Sequence, residues 1–195
     1  MHDKAHLIHE VEAFEPFNEQ EQRDQRLILH ALKEAAREGT DALEALFGRE
    51  DPAHVTASAW IVSPDRTQVL MAYHNIYKSW SWLGGHADGD FDLSRVAMRE
   101  VREESGLEQV RLVTPHILSL EVLCVNGHQK RGAYVSSHLH LNATYLIEAD
   151  PTQPIRIKPD ENSQIAWLKK QQIHSHVSEE WMRERIYPKL VCKAQ

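Results

Sequence analysis

Apolar side chains recur at helical spacing up to residue 50 and at strand-like intervals afterwards. Between residues 19 and 37 they return every three or four positions, which predicts a helix, and a shorter helix is predicted over residues 41–47. Asn18 is a suitable N-cap for the first helix, and Gly39 is a suitable end for it. We therefore predict that residues 1–50 form a helical extension. It should pack on the rest of the chain, because about fifty residues rarely build a stable core alone.

Residues 51–195 are predicted to form one domain in which strands dominate. The tetrapeptide Ser-Pro-Asp-Arg at residues 63–66 predicts the turn of a hairpin. The predicted strands are residues 54–63, 68–73, 80–83, 117–125, 137–147 and 164–168, the third of them ended by Gly84 and Gly85. Helices are predicted over residues 92–105 and over residues 179–193, the second interrupted near Pro188. This order of elements predicts a mixed α+β domain.

Composition and charge exclude several classes of protein. The chain has 195 residues, 42% of them apolar, which excludes a disordered protein. With 22 Lys and Arg against 29 Asp and Glu, the net charge of −7 argues against a nucleic-acid partner, which needs a basic face. No apolar run approaches the ~18 residues of a membrane span. Two cysteines, Cys124 and Cys192, are typical of a reducing cytoplasm, so we expect a cytoplasmic protein with no membrane partner.

The predicted helix over residues 92–105 carries acidic residues where apolar ones are expected. On a helical wheel Glu100 and Glu104 fall inside the apolar stripe, and Glu103 borders it. Carboxylates on a half-buried face repel one another and resist desolvation, so they need arginines or a divalent cation as compensation. The helix's arginines lie mainly on the other side, although Arg99 can pair with Glu103. Clustered carboxylate oxygens are the ligands that Mg²⁺ and Mn²⁺ prefer, which favours a metal site over a solvated acidic face.

The residues around this helix resemble the signature of the Nudix hydrolase family, of the MutT-like kind. Gly85 opens the pattern, and the run Arg-Glu-Val-Arg-Glu-Glu-Ser-Gly-Leu at residues 99–107 closes it. One position departs from the family, because Phe91 stands where the signature has its first Glu. That Glu normally supports the helix arginine, so we expect Arg99 to use Asp90 or Asp92 instead. The resemblance covers residues 51–195 and implies an α/β/α sandwich with a mixed β-sheet, carrying the N-terminal helical extension.

The resemblance also implies an activity and roles for individual residues. Such enzymes hydrolyse the pyrophosphate of a nucleoside diphosphate linked to another moiety, with Mg²⁺ or Mn²⁺ as cofactor. The metal would be held by Glu100, Glu103, Glu104 and the carbonyl of Gly85. Arg99 is expected to orient Glu103. The general base is left open among Glu103, Glu104 and Glu161, of which the last lies outside the signature.

Three further residues are candidates for contacting the substrate. His86 follows Gly85 directly and could touch a phosphate, although it could equally cap its loop. Trp82 could stack on a base, but aromatic packing in the core is the commoner role. Arg131 could bind phosphate, with a solvated hairpin tip as the alternative. A zinc site at His138 and His140, which alternate along one strand, is only weakly indicated.

Two other functions remain open at this stage. A ligand-binding regulatory module of the same fold would lack hydrolysis, but such modules tend to have degraded signatures, and this signature is intact. An enzyme like isopentenyl diphosphate isomerase would need a catalytic cysteine, which neither Cys124 nor Cys192 supplies in a suitable context. Whether the extension covers the pocket or forms a homodimer is also left open.

Overall fold

The computed structural model describes residues 4–49, 51–130 and 132–195. The helices are α1 (Lys4–Ala13), α2 (Glu19–Glu38), α3 (Thr40–Phe47), α4 (Leu93–Ser105), α5 (Ile173–His176) and α6 (Tyr187–Lys193). The strands are β1 (Ala53–Val62), β2 (Gln68–His74), β3 (Ser79–Ser81), β4 (Leu83–His86), β5 (Val110–Leu112), β6 (Ser119–Val125), β7 (His128–Lys130), β8 (Ala133–Val135), β9 (His138–Ala149) and β10 (Asn162–Lys169). A 3-10 turn precedes α5, and a π-helical turn, Met182–Ile186, precedes α6.

One mixed sheet of eight strands organises the described part of the chain. Its central order is β10-β2-β1-β9-β5, with β3 paired to β2, β4 to β1 and β6 to β9. Strands β1 and β9 run parallel, so that Ala57 lies opposite Ala143, and the other pairs are antiparallel. Strands β7 and β8 form a separate hairpin.

Helices cover both faces of this sheet. Successive side chains of a strand point to opposite faces, so a strand that is apolar throughout gives each face an apolar surface to be buried. In β1, Ala57, Ala59 and Ile61 join a core that includes buried residues of α1 to α4. The intervening Trp60 and Val62 join a second core with the C-terminal helices. The predicted α/β/α sandwich with a mixed sheet is therefore confirmed.

The N-terminal helices pack on the sheet. Asn18 caps α2 as predicted, its Oδ1 accepting a hydrogen bond from the amide of Glu21 at 2.9 Å. Leu7 of α1 and Ile28 of α2 are buried in the same core as Val55. Helix α1 was not predicted. The proposed boundary between the segments 1–50 and 51–195 stays a prediction.

The predicted strand break at the glycines is wrong. Gly84 and Gly85 lie inside β4, where they pair with Ser58 and Ala57 of β1. A Cβ on Gly84 would lie 2.6 Å from the carbonyl oxygen of Ala57, so the absence of a side chain permits close pairing instead of ending the strand.

The C-terminal segment is helical without a break from residue 180 to residue 193, and its irregularity is a π-helical turn. This turn precedes Pro188, which occupies the first turn of α6 where its missing N–H costs nothing. Among the described residues, no helix combines the length and apolar character needed to cross a membrane.

Candidate active site

Helix α4 and strand β4 meet in the first core, and their contact brings the acidic residues to the glycines. Asp92 caps α4, its Oδ1 accepting from the amide of Arg95 at 3.1 Å, and Gly106 ends the helix with a φ of 71°. The carboxylate of Glu100 lies directly against Gly85, where a Cβ would be 2.5 Å from its Cδ. Gly85 is therefore required for this close approach of strand and carboxylate.

Glu104 is the most deeply buried acid of this helix, with 4% of its surface exposed. Its Oε1 accepts a hydrogen bond from the amide of Gly84 at 2.9 Å, and its Oε2 accepts from Nδ2 of Asn162 at 2.8 Å. Burial raises the pKa of Glu104 to about 7, and the charges of Glu161 and Glu100 act in the same direction, while the two hydrogen bonds oppose the shift.

Glu100 is held by the arginine that precedes it. Nη2 of Arg99 donates to Oε1 of Glu100 at 2.9 Å and to the carbonyl oxygen of His86 at 3.0 Å. Burial raises the pKa of Glu100, and the hydrogen bond from Arg99 opposes this. The contact between Arg99 and Glu103 is longer, with 3.9 Å between Nε and Oε1. Arg99 therefore fixes Glu100 more directly than Glu103, the residue it was expected to orient.

The expectation that Arg99 would use Asp90 or Asp92 in place of the missing signature Glu is wrong. Asp90 forms a two-point ion pair with Arg95, with distances of 2.9 and 2.7 Å. Asp92 is occupied as the N-cap of α4. Arg99 instead takes its support from the carbonyl of His86 and from Glu100.

Glu103 and Glu161 are more accessible than the other two acids and share one lysine. Nζ of Lys158 lies 3.7 Å from Glu103 and 3.3 Å from Glu161. The exposed fractions of the two carboxylate side chains are 50% and 24%. The nearby acids raise the pKa of Lys158, although burial, the largest single influence, lowers it. Water can therefore reach these two carboxylates.

Four acids thus form what we call the carboxylate cluster: Glu100, Glu103, Glu104 and Glu161. Within the described chain, its ion pairs are made with two cations, Arg99 and Lys158. Four carboxylates against two cations leave negative charge at a partly buried place, which a divalent cation would neutralise. The donors are hard oxygens, and Asn162 adds a buried Oδ1 that has no hydrogen-bond partner in the described structure. This donor set fits Mg²⁺ or Mn²⁺.

Sequence reasoning missed Lys158 and Asn162. The signal for Lys158 was its position three residues before Glu161, which gives an i,i+3 ion pair. Asn162 carried no comparable signal, because its contact with Glu104 depends on where β10 pairs in the sheet.

Two of the three predicted substrate contacts, His86 and Trp82, are described by the structure, and their rings pack against other aromatic rings. His86 contributes its carbonyl to Arg99, but its ring lies 5.0 Å from the ring of His54 and 5.1 Å from that of His140. The ring of Trp82 lies 5.7 Å from that of Tyr187 and packs on the second core, as the alternative interpretation expected. Arg131 lies outside the described residues. A substrate role for each of the three stays a prediction.

Comparison with known proteins agrees with this geometry. The sequence model of a family described as the NUDIX domain matches residues 52–190. The structure of an E. coli dihydroneopterin triphosphate pyrophosphohydrolase is similar at a TM-score of 0.53 and 16% identity, covering 74% of this chain and 97% of that one. A Nudix hydrolase from M. smegmatis, RenU, is similar at a TM-score of 0.50 and 16% identity, covering 73% and 84%. No curated protein matches the chain. At such identities the structural likeness shows the shared fold.

Proposed function

This chain belongs to the Nudix hydrolase family, and from that premise we propose that it is a cytoplasmic, Mg²⁺- or Mn²⁺-dependent pyrophosphohydrolase. Its substrate would be a small nucleoside diphosphate linked to another moiety, such as a nucleotide or a nucleotide sugar. The observation that carries the proposal is the carboxylate cluster: Glu100 lies against Gly85, Glu104 accepts from the amide of Gly84, and Glu103 and Glu161 share Lys158. A bare acidic cluster would repel a diphosphate, so an anionic substrate requires a cation between the two.

The acids divide into two groups by their surroundings. Glu100 and Glu104 are buried and are fixed by Arg99, by the amide of Gly84 and by Asn162. Fixed, buried carboxylates suit the role of metal ligands, because their positions are set before the ion arrives. We assign Glu100, Glu103, Glu104 and the carbonyl of Gly85 as the groups that would hold the metal. When bound, the ion supplies positive charge against the diphosphate and acidifies water.

The chain's own cations position the acids. Arg99 joins Glu100 to the carbonyl of His86, so it ties α4 to the end of β4. Lys158 bridges Glu103 and Glu161 from the loop before β10. We propose positioning roles for both residues, since each acts through a carboxylate.

The general base must reach water and must not already be assigned as a metal ligand, and the two requirements together favour Glu161. Both oxygens of Glu104 accept hydrogen bonds, and Glu100 is engaged by Arg99. Glu161 is partly exposed, lies outside α4, and is close enough to Glu104 to influence its pKa. Because Glu161 lies on a loop, it can approach the attacking water while the acids of α4 remain available as metal ligands. Glu103 is the remaining accessible candidate.

The activity is tested by measuring phosphate or pyrophosphate release from nucleoside triphosphates and nucleotide sugars, with and without Mg²⁺ or Mn²⁺. We expect metal-dependent turnover in the wild type and its loss in Glu100→Gln and Glu104→Gln. Glu108→Gln, which removes an exposed acid just beyond α4, is the matched control and should keep full activity. Circular dichroism checks that the folds are alike. Full activity in both cluster variants would exclude the assignment.

A separate comparison tests the base. Glu161→Gln should lower kcat while leaving the metal concentration needed for half-maximal rate unchanged. Glu103→Gln should instead raise the metal concentration needed for half-maximal rate. The opposite pattern would make Glu103 the base.

A further inference from the structure

Three histidines meet on the sheet face opposite helix α4, at a place that the proposed reaction does not use. We call His54, His138 and His140 the histidine cluster. His54 lies near the start of β1 and the other two at the start of β9, and the parallel register sets His54 opposite His140. One ring nitrogen from each residue lies within 4.8 Å of the other two.

Two of the rings are anchored so that their lone pairs point inward. Nδ1 of His54 lies 3.0 Å from the carbonyl oxygen of Asp51, and Nδ1 of His138 lies 2.8 Å from that of Ser136. A carbonyl oxygen only accepts, so each Nδ1 carries the proton and each Nε2 is left as an acceptor. A carbonyl that fixes the far nitrogen in this way is the usual partner of a metal-binding histidine.

The inward nitrogen of His54 is the least satisfied atom of the group. Its side chain is buried, and Nε2 has no hydrogen-bond partner among the residues that the structure describes. A buried imidazole acceptor without a donor costs free energy unless something else occupies the space before it.

The spacing of the other two rings matches metal coordination. Nε2 of His138 and Nε2 of His140 are 3.2 Å apart. In a tetrahedral site with metal–nitrogen bonds of ~2.0–2.1 Å, two ligand nitrogens are separated by about 3.3 Å. A hydrogen bond between these two rings would also give a short distance, but it would leave Nε2 of His54 unsatisfied. A single metal ion at the centre of the cluster would coordinate one ring nitrogen of each of the three histidines.

We propose that His54, His138 and His140 bind one Zn²⁺ ion at a site distinct from the carboxylate cluster. Imidazole nitrogens suit zinc, whereas Mg²⁺ prefers oxygen ligands, so the two sites take different ions. Three histidines leave one tetrahedral position for water or another ligand oxygen. The ring of His86 borders the histidine cluster, whereas the backbone carbonyl of His86 accepts a hydrogen bond from Arg99. Strand β4 therefore lies between the two sites.

The test measures zinc binding rather than activity. Protein stripped with a chelator is titrated with Co²⁺ in excess Mg²⁺, which occupies the carboxylate cluster, and the visible absorption of bound Co²⁺ is followed. Zn²⁺ then displaces Co²⁺, and elemental analysis after desalting gives the stoichiometry. We expect one equivalent, with a spectrum of four-coordinate Co²⁺.

The variants His138→Gln and His140→Gln should each weaken Zn²⁺ binding by more than the ~10–100-fold that loss of a supporting partner costs. His116→Gln, which alters an exposed histidine elsewhere, is the matched control and should bind as the wild type does. Glu104→Gln should also retain zinc, which separates this site from the proposed catalytic one. Circular dichroism of the metal-free forms ensures that only folded variants are judged. Absence of binding in the wild type, unchanged affinity in either histidine variant, or loss of zinc in Glu104→Gln would overturn the proposal.

Discussion

Replacing Glu104 with Gln should remove a pH dependence of stability from the metal-free protein. The carboxylate is 4% exposed, and burial raises its pKa to about 7 from an ordinary value of 4.5. The folded state therefore binds a proton that the unfolded chain releases at lower pH. The stabilisation this provides is complete below about pH 4.5 and is lost as the pH rises through about 7.

The size of the effect follows from the two pKa values. Their difference, 7 − 4.5 = 2.5, corresponds to about 3 kcal/mol at ~1.4 kcal/mol per pH unit. Most of this stabilisation is lost between about pH 5 and about pH 8. The free energy of unfolding of the wild type should therefore fall by about 2–3 kcal/mol over this range, whereas that of Glu104→Gln should not show this fall. Gln has nearly the same shape, and rotation of the Asn162 amide would present its unpartnered Oδ1 to the new side-chain NH₂.

Urea unfolding in EDTA at the two pH values, followed by circular dichroism, measures this difference. Glu103→Gln is the matched control, because it removes a half-exposed charge from the same helix and so isolates the contribution of burial. If the wild type and Glu104→Gln lose the same free energy of unfolding between the two pH values, the buried carboxylate does not titrate as argued. The variant should also be inactive, so stability and activity change in opposite directions above neutral pH.

Two further substitutions test other contacts. Gly85→Ala places a Cβ 2.5 Å from Cδ of Glu100, so we expect the carboxylate to be displaced and Mg²⁺-dependent activity to fall by at least about tenfold; wild-type kinetics would contradict this. Nζ of Lys189 lies 3.0 Å from the buried carboxylate of Glu121 and 3.3 Å from that of Glu21. Lys189→Met leaves Glu121 buried without its lysine, whereas Glu21 keeps its ion pair with Lys193. It should lower the free energy of unfolding by about 3–5 kcal/mol in urea titrations, and a loss below about 1 kcal/mol would show that the ion pair is dispensable.

Local patterns in the sequence identify the helices well where apolar spacing and caps agree. Helix α2 begins at its predicted Asn18 cap, and α4 (Leu93–Ser105) agrees with the helix predicted over residues 92–105. Helix α1 escaped prediction because only Leu7 and Val11 of its ten residues are buried, too few to set a period. The glycines of β4 were predicted to end a strand, but glycine can also permit close pairing inside one. Which of the two roles it has depends on the neighbouring strand, here β1.

The arrangement of the candidate site could be predicted from the sequence only for the residues that lie on one helix. The acids of α4 could be placed relative to one another from helical geometry alone, and two of them are buried as their wheel positions implied. The hydrogen bond of Asn162 to Glu104 and the electrostatic effect of Glu161 on the pKa of Glu104 depend on sheet pairing and loop geometry, which no local pattern encodes. The same holds for His54, whose neighbour His140 is set by the parallel register of β1 and β9.

The separation of the two candidate metal sites rests on a single residue step along β4. Gly85 pairs with Ala57 and faces α4, whereas His86 pairs with Thr56 and faces the histidine cluster. Because alternate residues of a strand point to opposite faces, a slip of one residue in this pairing would exchange the two surroundings. The glycine would then lose its contact with Glu100, and an imidazole would enter the carboxylate cluster. The register that places the carboxylate cluster on one face therefore also keeps the histidine cluster on the other.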